Sequence, residues 1–331
     1  MKSLDDIIRA VQAHGSTMRV AIAPCAERFV LRAALMAAEK GLAQPVFIGH
    51  RERACAAAET LCPNFADFEF IDCPDDNEAV AKAVDLYRQG KVQLIMKGLV
   101  STATLLKAVL AKDAGLVAPG GILSLVTAFD APQHPQHPET SGEPRLMLLT
   151  DAGVNIRPNL QRKMDILKNA LEVARALGIV RPRAAILAAT EKVNFPAMPA
   201  TLDADLLAKM ADDGVFGDAL VAGPLALDLA VSPVSARLKR IDNPVAGHAD
   251  ILLTPDIESG NILHKALSTL LNIPLASVVV GSRVPVVVPS RGDSEQSKFA
   301  SIALAVFLAQ HNGALHNEAL RNTSPPTPNN A

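Results

Sequence analysis

Residues 281–298 read GSRVPVVVPSRGDSEQSK, and this stretch predicts the fold more directly than any other part of the chain. An apolar run at 284–288 stops at Pro289, and a helical pattern begins a few residues later. The carboxyl end of a strand that leads into a helix is where open α/β sheets bind their ligands. Between strand and helix, Ser290 and Arg291 offer a hydroxyl and a fixed positive charge. Together with the free N–H groups of a helix start, they suit an anion, or an oxygen that gains negative charge during a reaction.

Strand and helix patterns alternate along the rest of the chain. Apolar runs such as 19–23 are followed by amphipathic segments such as 158–177, in which leucines recur at helical spacing. This alternation predicts an α/β fold with mostly parallel sheets covered by helices. The length of 331 residues favours two α/β/α domains with a ligand cleft between them. We place the first domain at residues 1–150 plus 292–320, the second at 151–291 and a disordered tail at 321–331.

Composition argues against several classes of function. A net charge of −2 disfavours a nucleic-acid or membrane partner, and the absence of tryptophan disfavours base stacking. The chain has no uninterrupted apolar stretch of about 18 residues, so the sequence predicts no membrane span. The amino-terminal segment lacks the apolar core of a secretion signal, so we expect a cytoplasmic protein. The four cysteines form no C-x-x-C pair, and the histidine pair His134 and His137 has no third ligand nearby, so we predict no metal site.

Polar residues also follow four other predicted strands or turns. The first group allows a phosphate site but is explained more simply by a solvated lysine and a helix cap. The second fits a turn as well as a binding site, and the third fits a Gly-Pro turn better. The fourth has too many polar groups for a simple turn, which favours function. The groups are Lys97, Ser101 and Thr102; Asp151 and Asn155; Gly223 and Asp228; and Asp256, Asn261 and Lys265.

In order and spacing, these motifs resemble the phosphate acetyl/butyryl transferase family. The resemblance covers roughly residues 15–310, is strongest from residue 145 onward, and is closer to the butyryl branch than to the acetyl branch. The matching segments are MKGLVST at 96–102, LTDAGVNI at 149–156, GPLALD at 223–228, ADILLTPDIESGN at 249–261 and SRGDS at 290–294.

The resemblance implies a reversible reaction in which acyl-CoA and phosphate give acyl phosphate and free CoA. It implies two α/β/α domains with the active site between them, as in isocitrate and isopropylmalate dehydrogenase-like enzymes. It also implies a homodimer or higher homo-oligomer that needs no cofactor, with CoA as a substrate. Ser290 is then expected to stabilise the reacting centre, and Arg291 to hold phosphate or acyl phosphate. The residues of the four other groups are candidates for binding the substrates.

Two departures from the family pattern affect the predicted chemistry. Acetyl-type members place an aspartate seven residues after the serine, where this chain has Ser297. The base is therefore unassigned, and Asp293 is the first choice, although Asp293 followed by Gln296 also resembles a helix capping box. Family members usually carry an arginine near residues 116–122, and this chain has none there. Lys97 or Arg145 would have to replace it.

The missing arginine leaves a second hypothesis open, that of a non-catalytic relative which binds acyl-CoA or acyl phosphate. The intact Ser290–Arg291 pair opposes that hypothesis. A third hypothesis, an NAD-dependent decarboxylating dehydrogenase on the related fold, ranks last. That chemistry needs a spaced set of aspartates for a divalent metal, and the sequence shows no such set.

Overall fold

The computed structural model of the protein describes residues 1–15, 17–132, 145–290 and 292–323, with side chains described up to residue 312. These residues form one sheet whose strands, in chain order, are β1 Met18–Ala23, β2 Ala43–Gly49, β3 Phe70–Asp72, β4 Leu94–Lys97, β5 Ser124–Asp130, β6 Leu146–Thr150, β7 Arg183–Leu187, β8 Leu220–Leu225, β9 Ile251–Leu253, β10 Ala276–Val280 and β11 Val286–Val287.

Helices cover this sheet and connect most of its strands. In chain order they are α1 Leu4–Ala13, α2 Arg28–Glu39, α3 Arg51–Ala58, α4 Asp76–Arg88, α5 Thr102–Val109, α6 Leu160–Ala176, α7 Pro199–Asp212, α8 Leu227–Val231, α9 Pro233–Leu238, α10 Ile257–Lys265 and α11 Glu295–Thr323. A single π-helical turn, Ala266–Leu270, continues α10, where the sequence predicted one helix over 260–271. None of the helices in the described part of the chain is long and apolar enough to cross a membrane.

The strand order is β3-β2-β1-β4-β11-β10-β5-β6-β9-β7-β8. Two blocks are parallel throughout: β3 to β11 at one side, and β6, β9, β7 and β8 at the other. Between them, β10 pairs antiparallel with both β11 and β5, and β5 pairs antiparallel with β6. The predicted α/β fold with a mostly parallel sheet is therefore confirmed. The connection at 281–285 is too short for a parallel crossover, so β10 and β11 form a hairpin.

Because of these antiparallel pairs, the two parallel blocks run in opposite directions. The carboxyl ends of β1, β4 and β11 form one edge, which we call the Ser290 edge. The carboxyl ends of β6, β9, β7 and β8 form the opposite one, which we call the Asp151 edge. The sequence predicted polar groups at strand ends but not that those ends lie at two different edges.

Each face of the sheet has an apolar core. Side chains from α1, α2, α6, α7 and α11 fill one face, and side chains from α4, α5 and α8 fill the other. Leu31 and Ile302 are fully buried on the first face and Leu105 on the second. Burying a side chain of this size stabilises the fold by about 1.5–3 kcal/mol. The one sheet passes through both predicted domains, and their boundaries remain a prediction.

Helix starts follow the capping chemistry that the sequence suggests. The sequence offers Asp75 or Asp76 as the cap of α4, and the carboxylate of Asp75 accepts the hydrogen bonds from its first turn. The capping box predicted at Asp293 is wrong, because the Oγ atom of Ser294 accepts the backbone N–H of Ser297 instead. Helix α11 continues to Thr323, so it includes the first residues of the predicted tail; residues 324–331 lie outside the described part of the chain.

Candidate active site

Ser290 lies just beyond β11, at the Ser290 edge, and is held in a compact ionic arrangement. The Lys265 ammonium donates to Ser290 Oγ over 3.2 Å and lies 3.5 Å from Asp293 Oδ1. The other carboxylate oxygen of Asp293 accepts the backbone N–H of Ser290 at 2.8 Å. One lysine therefore touches both the hydroxyl and the carboxylate that the sequence placed in a single motif.

Helix α10 brings Lys265 to this position. The helix begins at the Asp151 edge, where the Asp256 carboxylate accepts the Ser259 N–H at 2.9 Å, and it runs back across the sheet. Lys265 is its last residue, where a cation interacts favourably with the helix dipole. The side chain is 39% exposed, so it borders solvent while Asp293 is largely enclosed.

Asp293 accepts a hydrogen bond with one carboxylate oxygen and faces the Lys265 ammonium with the other. Its Oδ1 atom is buried and accepts no hydrogen bond among the described residues, although the Lys265 ammonium is near. Its backbone carbonyl accepts a hydrogen bond of 2.5 Å from the buried Lys298, whose ammonium also lies 5.4 Å from the centre of the Phe29 ring. The Lys265 ammonium is therefore the cation that balances this buried oxygen without a hydrogen bond.

The direction of the Lys265–Ser290 hydrogen bond determines what the hydroxyl can do. An ammonium group has no lone pair, so Lys265 is the donor and Ser290 Oγ the acceptor. The hydroxyl hydrogen of Ser290 is then free to point elsewhere. A hydroxyl that accepts a charge-assisted hydrogen bond is polarised and becomes a better donor. This arrangement suits an oxygen atom that gains negative charge.

The Lys97 loop lies beside Ser290, because β4 and β11 are parallel neighbours with Met96 opposite Val287. The Lys97 ammonium donates to the carbonyls of Gly98 and Val100, both at 3.1 Å. Gly98 is required for close packing, since a Cβ atom there would lie 1.7 Å from the carbonyl oxygen of Pro24. The contacts of Lys97 that we describe hold its own loop.

The two hydroxyl residues after this loop begin helix α5. Ser101 Oγ accepts the Thr104 N–H at 3.0 Å and is the N-cap, as the simpler sequence interpretation predicted. Thr102 is the first helical residue and is half-buried.

At the opposite edge, Asp151 organises the loop after β6. Its carboxylate accepts the backbone N–H groups of Gly153, Val154 and Asn155 and the side-chain amide of Asn155. Burial nevertheless raises the pKa of Asp151, and these hydrogen bonds only partly oppose that effect. Asn155 also donates to Leu123 O at 2.8 Å, so both side chains close the loop.

The remaining predicted residues lie near the Asp151 edge and have structural contacts. Gly223 lies in β8, where a Cβ atom would be 2.8 Å from the Cβ of Ile186. Asp228 is exposed in the first turn of α8. Although burial opposes it, hydrogen bonds from Ser259 lower the pKa of Asp256. Asn261 is exposed and donates to Ala152 O at 3.3 Å.

The structure thus brings together Ser290, Asp293 and Lys265, with Lys97 on the neighbouring strand. It does not bring Asp151, Asn155, Gly223 or Asp228 to them, because the two parallel blocks have opposite directions. Arg291 lies outside the described residues, so its predicted contact with phosphate stays a prediction.

Two residues near the site have contacts that the sequence did not indicate. Ser297, which replaces the family aspartate, accepts the Leu275 N–H at 3.1 Å and bonds Ser294 Oγ, so it supports the backbone. His264 is buried, with Nε2 lying 3.3 Å from Ser277 Oγ. In the sequence, His264 is distinguished by its position directly before Lys265. A histidine that only packs in the core could occupy the same position. Across residues 1–15, 17–132, 145–290 and 292–312, no three His, Cys, Asp or Glu side chains are arranged to hold a metal ion.

Comparisons with known proteins show which family the chain resembles. The family described as phosphate acetyl/butaryl transferase matches residues 74–306. The phosphate butyryltransferase of Clostridium acetobutylicum is 40% identical over 309 residues, which are 93% of this chain and 99% of that protein. The phosphate acetyltransferase of Thermotoga maritima is 37% identical over 297 residues, or 90% and 97% of the two chains. A branched-chain phosphotransacylase from Enterococcus faecalis V583 superposes with a TM-score of 0.76 at 32% identity, covering 89% of this chain and 100% of that one.

Proposed function

Because the chain belongs to the phosphate acetyl/butyryl transferase family, we propose that it catalyses reversible transfer of a short acyl group between CoA and inorganic phosphate. The family and the acyltransferase class predicted from the motifs are confirmed by these relatives. Both acetyl and butyryl transferases are similar to the chain over nearly their whole length, so the acyl group is a short one of either kind.

The observation that carries the proposal is the position of the Lys265 ammonium between Ser290 Oγ and Asp293 Oδ1. Attack on a thioester or on an acyl phosphate places negative charge on the carbonyl oxygen. Ser290, polarised by Lys265, donates its hydroxyl hydrogen to that oxygen. Loss of one such donor costs on the order of 10²–10³-fold in turnover.

Asp293 is the proposed proton carrier. When phosphate attacks acyl-CoA, a carbon–oxygen bond forms, the carbon–sulfur bond breaks, and CoA leaves as a thiolate. The proton of the attacking hydrogen phosphate passes to Asp293 Oδ1 and then to the thiolate sulfur. In reverse, Asp293 takes the proton of the CoA thiol and returns it to the departing phosphate. The Oδ1 atom suits this role because it accepts no hydrogen bond among the described residues. General acid–base catalysis contributes about 10²–10⁴-fold in rate.

The other predicted residues divide according to their place in the sheet. We assign Arg291 to the phosphate, because arginine binds it through two parallel hydrogen bonds. Lys97, on the adjacent strand, supports the loop that borders the same space. Asp151, Asn155 and Asp256 hold the loops and the helix start at the Asp151 edge through the contacts already described.

A homo-oligomer in the cytoplasm remains part of the proposal. Ile262, Leu270 and Leu271 lie on α10 and the turn that follows it, with exposed fractions of 71%, 77% and 59%. Three large apolar side chains on one exposed segment form a surface that a second copy would cover. Light scattering after size exclusion tests this part, and a monomer at micromolar concentration contradicts it.

The test of function is thiol release from acetyl-CoA and butyryl-CoA with phosphate, in the wild-type protein and in Ser290→Ala. We expect wild-type turnover and a fall in kcat on the order of 10²-fold in Ser290→Ala. Ser282→Ala is the matched control, because it removes a hydroxyl that bonds only Val284 O at the far end of the hairpin. CoA binding without any turnover in the wild type would favour the non-catalytic relative.

A further inference from the structure

A buried polar chain lies beneath the active site. Thr127 Oγ1 and Ser277 Oγ, on the neighbouring strands β5 and β10, are 2.9 Å apart. Ser277 Oγ in turn lies 3.3 Å from His264 Nε2. The chain ends at His264 Nδ1, which is buried and has no hydrogen-bond partner among the described residues.

His264 lies near enough to Asp293 for the carboxylate to act on the charge of its ring. His264 directly precedes Lys265, whose ammonium is 3.5 Å from Asp293 Oδ1, a buried oxygen that accepts no hydrogen bond among the described residues. A buried polar atom without a hydrogen bond costs about 1–3 kcal/mol, so His264 Nδ1 indicates function more than packing. The proposed proton transfer uses Asp293 Oδ1 and leaves His264 Nδ1 unexplained.

A change in the charge of His264 would change which cationic group the Asp293 carboxylate contacts. A neutral imidazole offers nothing stronger than the Lys265 ammonium, so the carboxylate stays with Lys265. An imidazolium would attract Asp293 Oδ1 through its Nδ1–H group and repel the adjacent Lys265. That change would remove the ammonium from Ser290 and occupy the carboxylate oxygen that takes the proton.

We propose that His264 is a positioning residue for acyl transfer: as a neutral imidazole fixed by Ser277, it leaves Asp293 to Lys265 and Lys265 to Ser290. The proposal rests on the proposed transferase function for its kinetic part. His264 acts through these residues and does not touch substrate, since it is buried.

The surroundings of His264 favour the neutral form. Burial lowers the pKa of His264; the Asp293 carboxylate opposes that effect, and the Lys265 ammonium adds to it. Among the residues that the structure describes, these two charged groups act on the ring, one from the turn before α11 and one from its own helix. Ser277 and Thr127, from β10 and β5, do not titrate. The ring therefore becomes charged only at a pH below the ordinary histidine value of about 6.5.

The kinetic test is the pH profile of kcat/KM in the wild type, in His264→Gln and in His248→Gln. Glutamine keeps a polar group near Ser277 but cannot become charged. The comparison is made one pH unit below the midpoint of the acid limb of the wild-type profile. There we expect kcat/KM to fall about tenfold in the wild type and less than about twofold in His264→Gln. His248→Gln is the control, because the pKa of His248 is also lowered, and it should keep the wild-type profile. An unchanged acid limb in His264→Gln overturns the proposal.

A second measurement needs neither turnover nor a His264 variant. The NMR titration of the His264 ring gives its pKa in the wild type and in Asp293→Asn. Because Asp293 raises this pKa, we expect a lower value in Asp293→Asn. An identical value means that the two groups do not interact, and the proposal fails whether or not the protein transfers acyl groups.

Discussion

Replacing Lys265 by methionine tests the central geometry most sharply. Methionine has nearly the same shape but removes the ammonium that bonds Ser290 Oγ at 3.2 Å. A hydrogen bond from a charged group contributes about 1.5–3 kcal/mol, and each 1.4 kcal/mol is a factor of ten in rate. We therefore expect Lys265→Met to lower kcat by about 10–150-fold. Because the polarised hydroxyl acts on charge that exists only in the transition state, KM should change little.

The change in stability should be small by comparison. The Lys265 side chain is 39% exposed, so solvent screens its pairing with Asp293, and the free energy of unfolding should fall by about 1 kcal/mol or less. Urea unfolding of Lys265→Met and of Lys209→Met measures this. Lys209 is the matched control, because its pairing with Asp205 lies on the surface. Its kcat should not change.

A double-mutant cycle decides whether Lys265 acts through Ser290. In a Ser290→Ala background, Lys265→Met should cost less than about twofold, because the hydroxyl it orients is gone. If the losses in kcat of the two single variants multiply in the double variant, Lys265 does not act through Ser290 and the reasoning is refuted. A raised KM for phosphate with unchanged kcat would also refute it, and would instead assign Lys265 to the substrate-binding role predicted from its motif.

Three further predictions follow from single contacts. Asp293→Asn should lower the rate of thioester formation from acyl phosphate and CoA by about 10²–10⁴-fold, measured by thioester absorbance, and a near-normal rate would assign the proton transfer elsewhere. Gly98→Ala should lower the free energy of unfolding by at least about 1–3 kcal/mol, because its Cβ meets a backbone oxygen at 1.7 Å; Gly292→Ala, which meets nothing within 4 Å, is the control in urea titrations. Burial raises the pKa of the Cys25 thiol to about 12, so iodoacetamide at pH 8 should label the exposed Cys55 and spare Cys25 in peptide mass spectra.

Local contacts of the site were predictable from the sequence. Ser290 and Asp293 are three residues apart, between a strand and a helix, so their proximity follows from chain geometry alone. The strand β11 and the start of α11 were recognisable for the same reason, since an apolar run and a helical period meet there. Only the predicted capping residue of α11 was wrong. The Asp293 carboxylate accepts the Ser290 N–H, and Ser294 caps the helix instead.

The partner of Ser290 was harder to predict. The sequence placed Lys265 on a helix and among the candidates, but its direction depends on how the sheet is assembled. Helix α10 reaches Ser290 because β9 and β11 run in opposite directions, so a helix that starts at one edge ends at the other. The short connection at 281–285 was the one local signal of that reversal.

The same reversal explains why the other polar groups do not join the site. Asp151 and Asn155 follow a strand as Lys97 does, and each motif alone looks like a ligand loop. Whether two such loops meet depends on relative strand direction, which is a long-range property. His264 was missed for a different reason: a single histidine on an apolar helix face has the same pattern as a core residue.

The ionic state of the lysines around Ser290 has a consequence for the lifetime of the protein. An acyl phosphate is an acylating agent, and any uncharged amine beside it would be modified. The Lys265 nitrogen lies 3.5 Å from the Asp293 carboxylate, and Lys298 is 1% exposed beneath the turn. An ion pair in one case and burial in the other make both side chains poor nucleophiles. We therefore expect self-acylation by the product to fall on outlying surface lysines rather than on Lys265 or Lys298.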